Sequence, residues 1–322
     1  MLSRRVLIGS IALAPFAGAA AAAEWPQRPV RVIFPYAAGS TGDATARLVT
    51  RWLSGALGQP FIIENRVAAN GTVGAEAVAR SAPDGYTLLW AVTPQIAISP
   101  AMTKVPYDPL KDFVPISAVS TNRFALVVNA ELPIRTVAEF LDYVRTRRDD
   151  FAYAEGGAGS ITHLAMVLLL TRAGLKGTNI SHKGTAPALL EVVAGRLPAM
   201  VSLFGDAMAQ AESGAVRMIA VTSAQSATQA PDVPTLAESG FPGLAVTSWW
   251  GLMAPAATPT SIVEQLAGAV AKATKDPAIA RQMANFGVDP LGSSPAEFAA
   301  MVAADMKLWA GAVKLAGLAL RS

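Results

Sequence analysis

"FPYAAGSTGDATARL", Phe34 to Leu48, leaves the β-branched run Val30–Phe34, turns through glycine and enters a helical pattern. Strand, glycine turn and helix start, in that order, form the repeating unit of an open α/β sheet. Such turns lie at the carboxyl ends of the strands, where ligands bind. The stretch contains neither G-x-G-x-x-G nor G-x-x-x-x-G-K-[ST], so it follows no nucleotide-binding pattern. Within it, Ser40-Thr41-Gly42-Asp43 fits a capping box: Ser40 is expected to cap the helix and Asp43 to reach back to the Ser40 N–H.

Two further helix starts share this design. In "GGAGSITHLAM" Ser160 is the expected cap and Gly174 the stop; in "HKGTAPALLEVVAG" Thr185 is the expected cap, Pro187 sits in the tolerated first turn and Gly195 ends the helix. Any one of them reads as ordinary capping. Three glycine-flanked starts after strand-like runs read as a binding edge.

The rest of the chain keeps the same rhythm. "VRVIF", "PFIIEN", "YTLLWAV", "FALVVN", "FAYAE", "AMVSLF" and "VRMIAVTS" are strand-like, and the spacing predicts helices over 41–57, 74–80, 137–147, 161–173, 186–194, 261–272, 278–286 and 295–315. Alternating strands and helices predict a parallel sheet with helices on its faces. The first residues carry Arg4-Arg5, an apolar run and Ala21-Ala22-Ala23, which reads as a signal peptide over residues 1–23. A membrane anchor is the competing reading, and Pro15, Gly9, Gly18 and weakly apolar alanines argue against it.

Without Arg4 and Arg5 the formal charge falls from +3 to +1, and no run of basic residues remains, so nucleic acid and anionic lipid find no electrostatic footprint. The remaining length, about 300 residues, suggests about two domains. With no cysteine and two histidines, His163 and His182, and with no H-E-x-x-H or G-x-S-x-G, metal and hydrolase chemistry lack their usual motifs. Ser160 and His163 stand three apart at a helix start, where the imidazole reads as a packing or capping group more readily than as a base. No metal or cofactor is expected. A binding reading needs less: helix starts supply unpaired N–H groups and partial positive charge for a carboxylate.

Several long motifs then occur in one order: "WPQRPVRVIFPYAAG" with Asp43 and Arg47, "FIIENRVAANGTVGAEAVARSAPDGYTLL", "VPYDPLKDFVPIS", "GAGSITHL", "HKGTAPALLEVVAGRL", "VPTLAESGFPG" and "WWGLMAPAATPTSIVEQL". With these the chain resembles the substrate-binding proteins of tripartite tricarboxylate transporters, also called Bug receptors. The resemblance implies an α/β, two-lobed periplasmic binding fold of type II, the Venus flytrap, with a small carboxylated solute held between lobes and passed to a membrane permease. It implies a monomer in the periplasm that is not an enzyme. An exported enzyme using the same cleft, or a ligand-sensing partner of a membrane receptor, is the alternative.

Carried over by position, the first jaw comprises Tyr36, Ala38, Gly39, Ser40, Thr41 and Asp43, with Thr93, Pro94 and Gln95 beside it. The opposing jaw comprises Gly159, Ser160, Thr162 and His163, then Lys183, Gly184 and Thr185, with Asp206 at the cleft edge. Glu155 stands where a small serine is common, and His182 where tyrosine is. A cleft-facing Glu155 would repel a second carboxylate, so it implies a ligand with one acid group and a polar or cationic far end. The expected domains are residues 24–123 with 248–322, and 124–247, joined by crossings near 122–124 and 245–249. The C-terminal helices are expected on the first domain, and Trp249 and Trp250 in the core or hinge.

Overall fold

A computed structural model describes residues 25–36, 38–66, 71–147 and 150–319. The expected signal peptide lies outside them. The first lobe opens with β1 (Val30–Phe34), α1 (Thr41–Leu57), β2 (Phe61–Asn65), α2 (Thr72–Ala79) and β3 (Thr87–Val92). A π-type turn over Pro94–Ile98 and the short α3 (Ser99–Met102) lead into β4 (Phe113–Asn129). The second lobe holds α4 (Val137–Arg147), β5 (Ala152–Glu155), α5 (Ile161–Arg172), β6 (Thr178–Ser181), α6 (Thr185–Val193), β7 (Ala199–Leu203), α7 (Phe204–Glu212) and β8 (Val216–Val221). The chain returns on β9 (Thr247–Pro255) and ends with α8 (Thr260–Lys275), α9 (Pro277–Asn285), β10 (Asp289–Pro290) and α10 (Pro295–Leu315).

The strands follow the order β2-β1-β3-β9-β4-β7-β5-β6, with β10 and β8 also on β4. β1 is parallel to β2 and β3, and β5 to β6 and β7, as the alternating pattern predicts. β9 is antiparallel to both β3 and β4, and β7 and β8 are antiparallel to β4, so the sheet is mixed rather than parallel. The reason is topological: β4 carries the chain out of the first lobe and β9 brings it back, so the two crossings must run in opposite directions.

β4 belongs to both lobes. From Phe113 to Arg123 it pairs with β9, and from Phe124 to Val128 with β7. Thr222 ties the crossings together: its hydroxyl donates to Val246 O at 2.6 Å and accepts from Phe124 N at 3.1 Å, while Val246 N donates to Thr222 O at 2.7 Å.

Each lobe buries its own apolar face. Val32, Phe34, Leu53, Trp90 and Leu266 pack in the first, and Leu126, Phe140, Phe151, Leu164 and Val201 in the second. α10 serves both: Phe298 and Val302 pack with Trp249 and Met253, whereas Trp309, Ala312 and Val313 join the core around Leu164. The last helix thus departs from the expectation that it rests on the first lobe alone. Its apolar stripe is long enough to cover two cores because Ser294 and Glu297 form a complete capping box and Pro295 occupies the first turn of a 21-residue helix.

Candidate functional site

The first jaw is built by the turn after β1. Ser40 Oγ accepts from Asp43 N at 3.2 Å, so Ser40 caps α1 as its sequence predicts. Asp43 does not close the box. Its carboxylate accepts from Gly39 N at 3.1 Å, from Arg47 Nε at 2.8 Å and from Asn65 Nδ2 at 3.0 Å. A carboxylate flanked by a guanidinium and an amide gains more from those donors than from the Ser40 amide. Gly39, at φ 89°, supplies the left-handed turn that brings its N–H to Asp43.

The opposing jaw is the glycine loop between β5 and α5. Ser160 Oγ accepts from His163 N at 3.2 Å and caps α5. Thr162 Oγ1 accepts from Gly156 N at 3.1 Å, pinning the loop to the helix it precedes. The third start differs from its expected form. Gly184, at φ 114°, is the cap of α6, and Thr185 is the first helical residue with no side-chain cap bond. Close packing sets this arrangement: a Cβ on Gly156 would sit 3.0 Å from Thr185 N, so the loop and the α6 start meet backbone to backbone.

Between the jaws lies a cavity of about 310 Å³. Tyr36, Ser99, Ser160, Thr162, Thr185 and Ser248 supply hydroxyls, Asn122 an amide, and Trp250, Phe124 and Met102 apolar surface. No charged side chain lines it among the described residues. Burial pushes the Tyr36 hydroxyl up to about 12, so it stays a neutral donor. The first N–H groups of α5 and α6 have no intrahelical partner and carry the positive end of each helix. The cavity therefore offers dipoles and hydroxyls for an acid group and an aromatic wall for a carbon chain. Met102 of the first lobe covers Gly159 of the second.

Of the residues named from sequence, Tyr36, Pro94, Gly159, Ser160, Thr162 and Thr185 meet at this cavity. Thr41 and Asp206 line a smaller adjoining chamber. Ala38, Gly39, Ser40 and Asp43 build the turn behind Tyr36 without lining the cavity. Thr93 and Gln95 are fully buried: Thr93 Oγ1 accepts from Trp249 N at 2.9 Å, and Gln95 Nε2 donates to Gly71 O at 2.6 Å. Lys183 is exposed, and neither it nor Gly184 is in the lining. His182 faces its own strand, with Nδ1 2.9 Å from Ile180 O.

Two readings need correction. Glu155 is fully buried and its carboxylate accepts from Gly157 N and from Asn179 Nδ2, so it does not face the cavity. A buried carboxylate must be hydrogen-bonded, and its own loop supplies one donor and the neighbouring β6 the other. The single-acid constraint drawn from it loses its basis. His163 likewise turns away: its Nδ1 accepts from Gly159 N at 3.1 Å while its ring borders a separate cavity beside Tyr153. Trp249 is core, but Trp250 lines the ligand cavity, because successive strand residues point to opposite faces. Asn122, Phe124 and Ser248 were not singled out. They sit on the crossing strands, where only the pairing of Asn122 with Ser248 reveals a shared wall.

Two α/β lobes, two crossing strands and, between them, an uncharged cavity that joins hydroxyls to an apolar wall define a solute-binding protein. The chain belongs to the tripartite tricarboxylate transporter family receptor group, whose pattern matches residues 45–318. It is 32% identical over 313 residues to protein BugT of Bordetella pertussis, spanning 97% of this chain and 96% of that one. Among solved structures it is similar to Rpa4515 of R. palustris with adipate, at 33% identity and TM-score 0.79, over 92% of this chain and 99% of that one. It is also similar to MatC of Rhodopseudomonas palustris with bound malate, at 32% identity and TM-score 0.75, over 90% of this chain and 100% of that one.

Proposed function

We propose that the protein captures a small organic acid between its lobes, in the periplasm, and hands it unchanged to the membrane permease of a tripartite transporter. The observation that carries this reading is the lining of the cavity: hydroxyls, an amide and helix-start N–H groups, with no charged side chain among the described residues. Hydrogen bonds to a charged group contribute about 1.5–3 kcal/mol each, and micromolar binding needs about 8 kcal/mol, so a handful of such donors suffices after ordering costs. Rpa4515 with adipate and MatC with malate show that similar chains hold carboxylic acids. Capture is favoured over turnover because neither His163 nor His182 lines the cavity. The domains of this reading are 24–123 with 248–322, and 124–247, acting as a monomer, with α10 bridging them.

A thermal-shift panel of mono-, di- and tricarboxylates, aromatic acids and amino acids tests it. A ligand at one hundred times its Kd adds about 2.7 kcal/mol to stability. Mass spectrometry of the ligand recovered after denaturation should return the molecule added. A panel with no carboxylate response, or a chemically altered ligand, would overturn the reading.

A further inference from the structure

A separate cavity of about 590 Å³ is walled by β5, β6, α5 and the end of α10, and it shares no lining residue with the ligand cavity. Tyr153 and Asn179, register partners on β5 and β6, stand side by side in its wall, and the His163 ring lies 6.4 Å from that of Tyr153. Tyr153 is 1% exposed and His163 4%, yet the Tyr153 hydroxyl and His163 Nε2 are neither bonded to a described residue nor sealed from solvent. The little surface they keep opens on the cavity that both line. A side chain buried to this degree, with its one unbonded polar atom turned to a cavity, meets its partner inside that cavity.

The polar atoms on offer are of defined kind. The Gly159 amide occupies Nδ1 of His163, so the neutral ring carries its proton on Nε2 and donates there. Burial pushes the Tyr153 pKa up, which keeps its hydroxyl a neutral donor. Asn179 spends Nδ2 on Glu155 Oε1 at 3.3 Å, and its Oδ1 is left as an acceptor. Leu170, Leu175 and Leu315 form the apolar side, with Leu315 exposed. The field of the buried Glu155 carboxylate reaches both Tyr153 and His163, so the floor is a poor seat for an anion, and the one lining cation, Lys176, is exposed at the rim.

We infer that this cavity is an effector site for a small neutral carboxamide or lactam with an apolar body: the carbonyl accepts from Tyr153 and His163, the N–H donates to Asn179, and the carbon frame covers the leucines. The occupant then sits directly behind the ligand loop. His163 holds the Gly159 amide, and Asn179 holds Glu155, which in turn accepts from the Gly157 amide. Both glycines line the ligand cavity. A shift of either anchor is passed to the loop, so the two cavities are coupled, and the coupling acts equally in both directions.

Titration of caprolactam into protein carrying isotope-labelled histidine and glycine, followed by NMR, tests the inference. The chain has two histidines, so both imidazoles are resolved. His163 Nε2 should shift saturably with a Kd on the order of millimolar, the Gly157 and Gly159 amides should follow the same curve, and His182 should not. Thr171→Trp, which places an indole in the cavity from an exposed position on α5, should abolish the response. Cyclohexanecarboxylate, similar in size but anionic, should bind there about tenfold more weakly or worse. No saturable shift in wild type, an undiminished response in Thr171→Trp, loop amides that stay still, or an anion held more tightly than the lactam would each overturn the inference. Should Thr171→Trp fail to fold, Tyr153→Phe decides: a Kd weakened about fivefold supports the site, and an unchanged Kd refutes it. The caprolactam titration contains no carboxylate, so its outcome is independent of what the ligand cavity captures.

Discussion

The amide of Gly159 donates to Nδ1 of His163 at 3.1 Å, so the loop that faces the ligand is anchored to an imidazole that does not. The bond requires an unprotonated Nδ1 and places the proton of neutral His163 on Nε2. Burial lowers the His163 pKa below 6.5, against an opposing pull from Glu155. The neutral form is therefore the folded form. In the window below 6.5 the unfolded chain takes up a proton first, so stability falls as pH drops through the lowered folded value. Ligand affinity should fall several-fold over the same window, measured by titration at stepped pH. His163→Asn, which keeps an acceptor near Nδ1 and cannot titrate, should flatten the profile; an unchanged slope in that variant would remove His163 from the effect.

Asp43 is the electrostatic centre of the first turn. Burial works against its charge, but hydrogen bonds from Arg47, Asn65 and the Gly39 amide outweigh it and hold the carboxyl below its ordinary 3.8. Its contribution is present above that value and is lost as pH falls through the folded pKa. Asp43→Ala should cost about 1–3 kcal/mol at neutral pH, because three sets of donors lose their acceptor. Urea unfolding should show a lower midpoint with an unchanged slope.

Asp305 behaves oppositely. Burial pushes it up to about 6 although the Trp249 indole donates to it at 2.8 Å. The folded chain holds its proton more tightly than the unfolded one, so stability is lost as pH rises from near 4 through 6. Asp305→Asn keeps an acceptor for Trp249 and removes the charge. The variant should gain about 1–2 kcal/mol at pH 7.5, and the gain should vanish near pH 4 in paired melting curves. A variant less stable than wild type at both pH values would contradict this.

Gly156 sets the distance between two helix starts. A Cβ there meets Thr185 N at 3.0 Å and Gly184 C at 3.2 Å, both backbone atoms that yield only if α6 moves. Gly156→Ala should therefore lower the melting temperature through an overpacking cost of about 1–3 kcal/mol and, because the displaced α6 start borders the cavity, weaken ligand binding by roughly tenfold. Undiminished affinity would show that the loop has room to spare.

Much of the fold was legible because local signals decided it. α1, α4 and α10 begin and end where caps and apolar spacing place them. The first half of β4 was not legible: Pro115, Ser117 and Ser120 interrupt the apolar pattern, and register shifts at Pro115/Ser117 and Ala118/Ser120 break its alternation. β6 is exposed along its whole length, so no buried face marks it. At the site, the helix starts were visible as capping sequences, but orientation was not. Whether Glu155 or Tyr36 faces the ligand depends on which donors the folded loop offers, and Asn179, which holds Glu155, comes from another strand. The wall formed by Asn122 and Ser248 joins residues 126 apart, beyond the reach of any local pattern.

Because β4 runs unbroken through both lobes, the protein has no slack tether at its first crossing. Spreading the jaws rotates one end of a continuous ribbon about the other. β-Strands are twisted by nature, and two-stranded ribbons show the largest twist. The motion available is thus a wringing about the β4 axis, and its amplitude ends where the rungs flanking Arg123 and Phe124 would have to part.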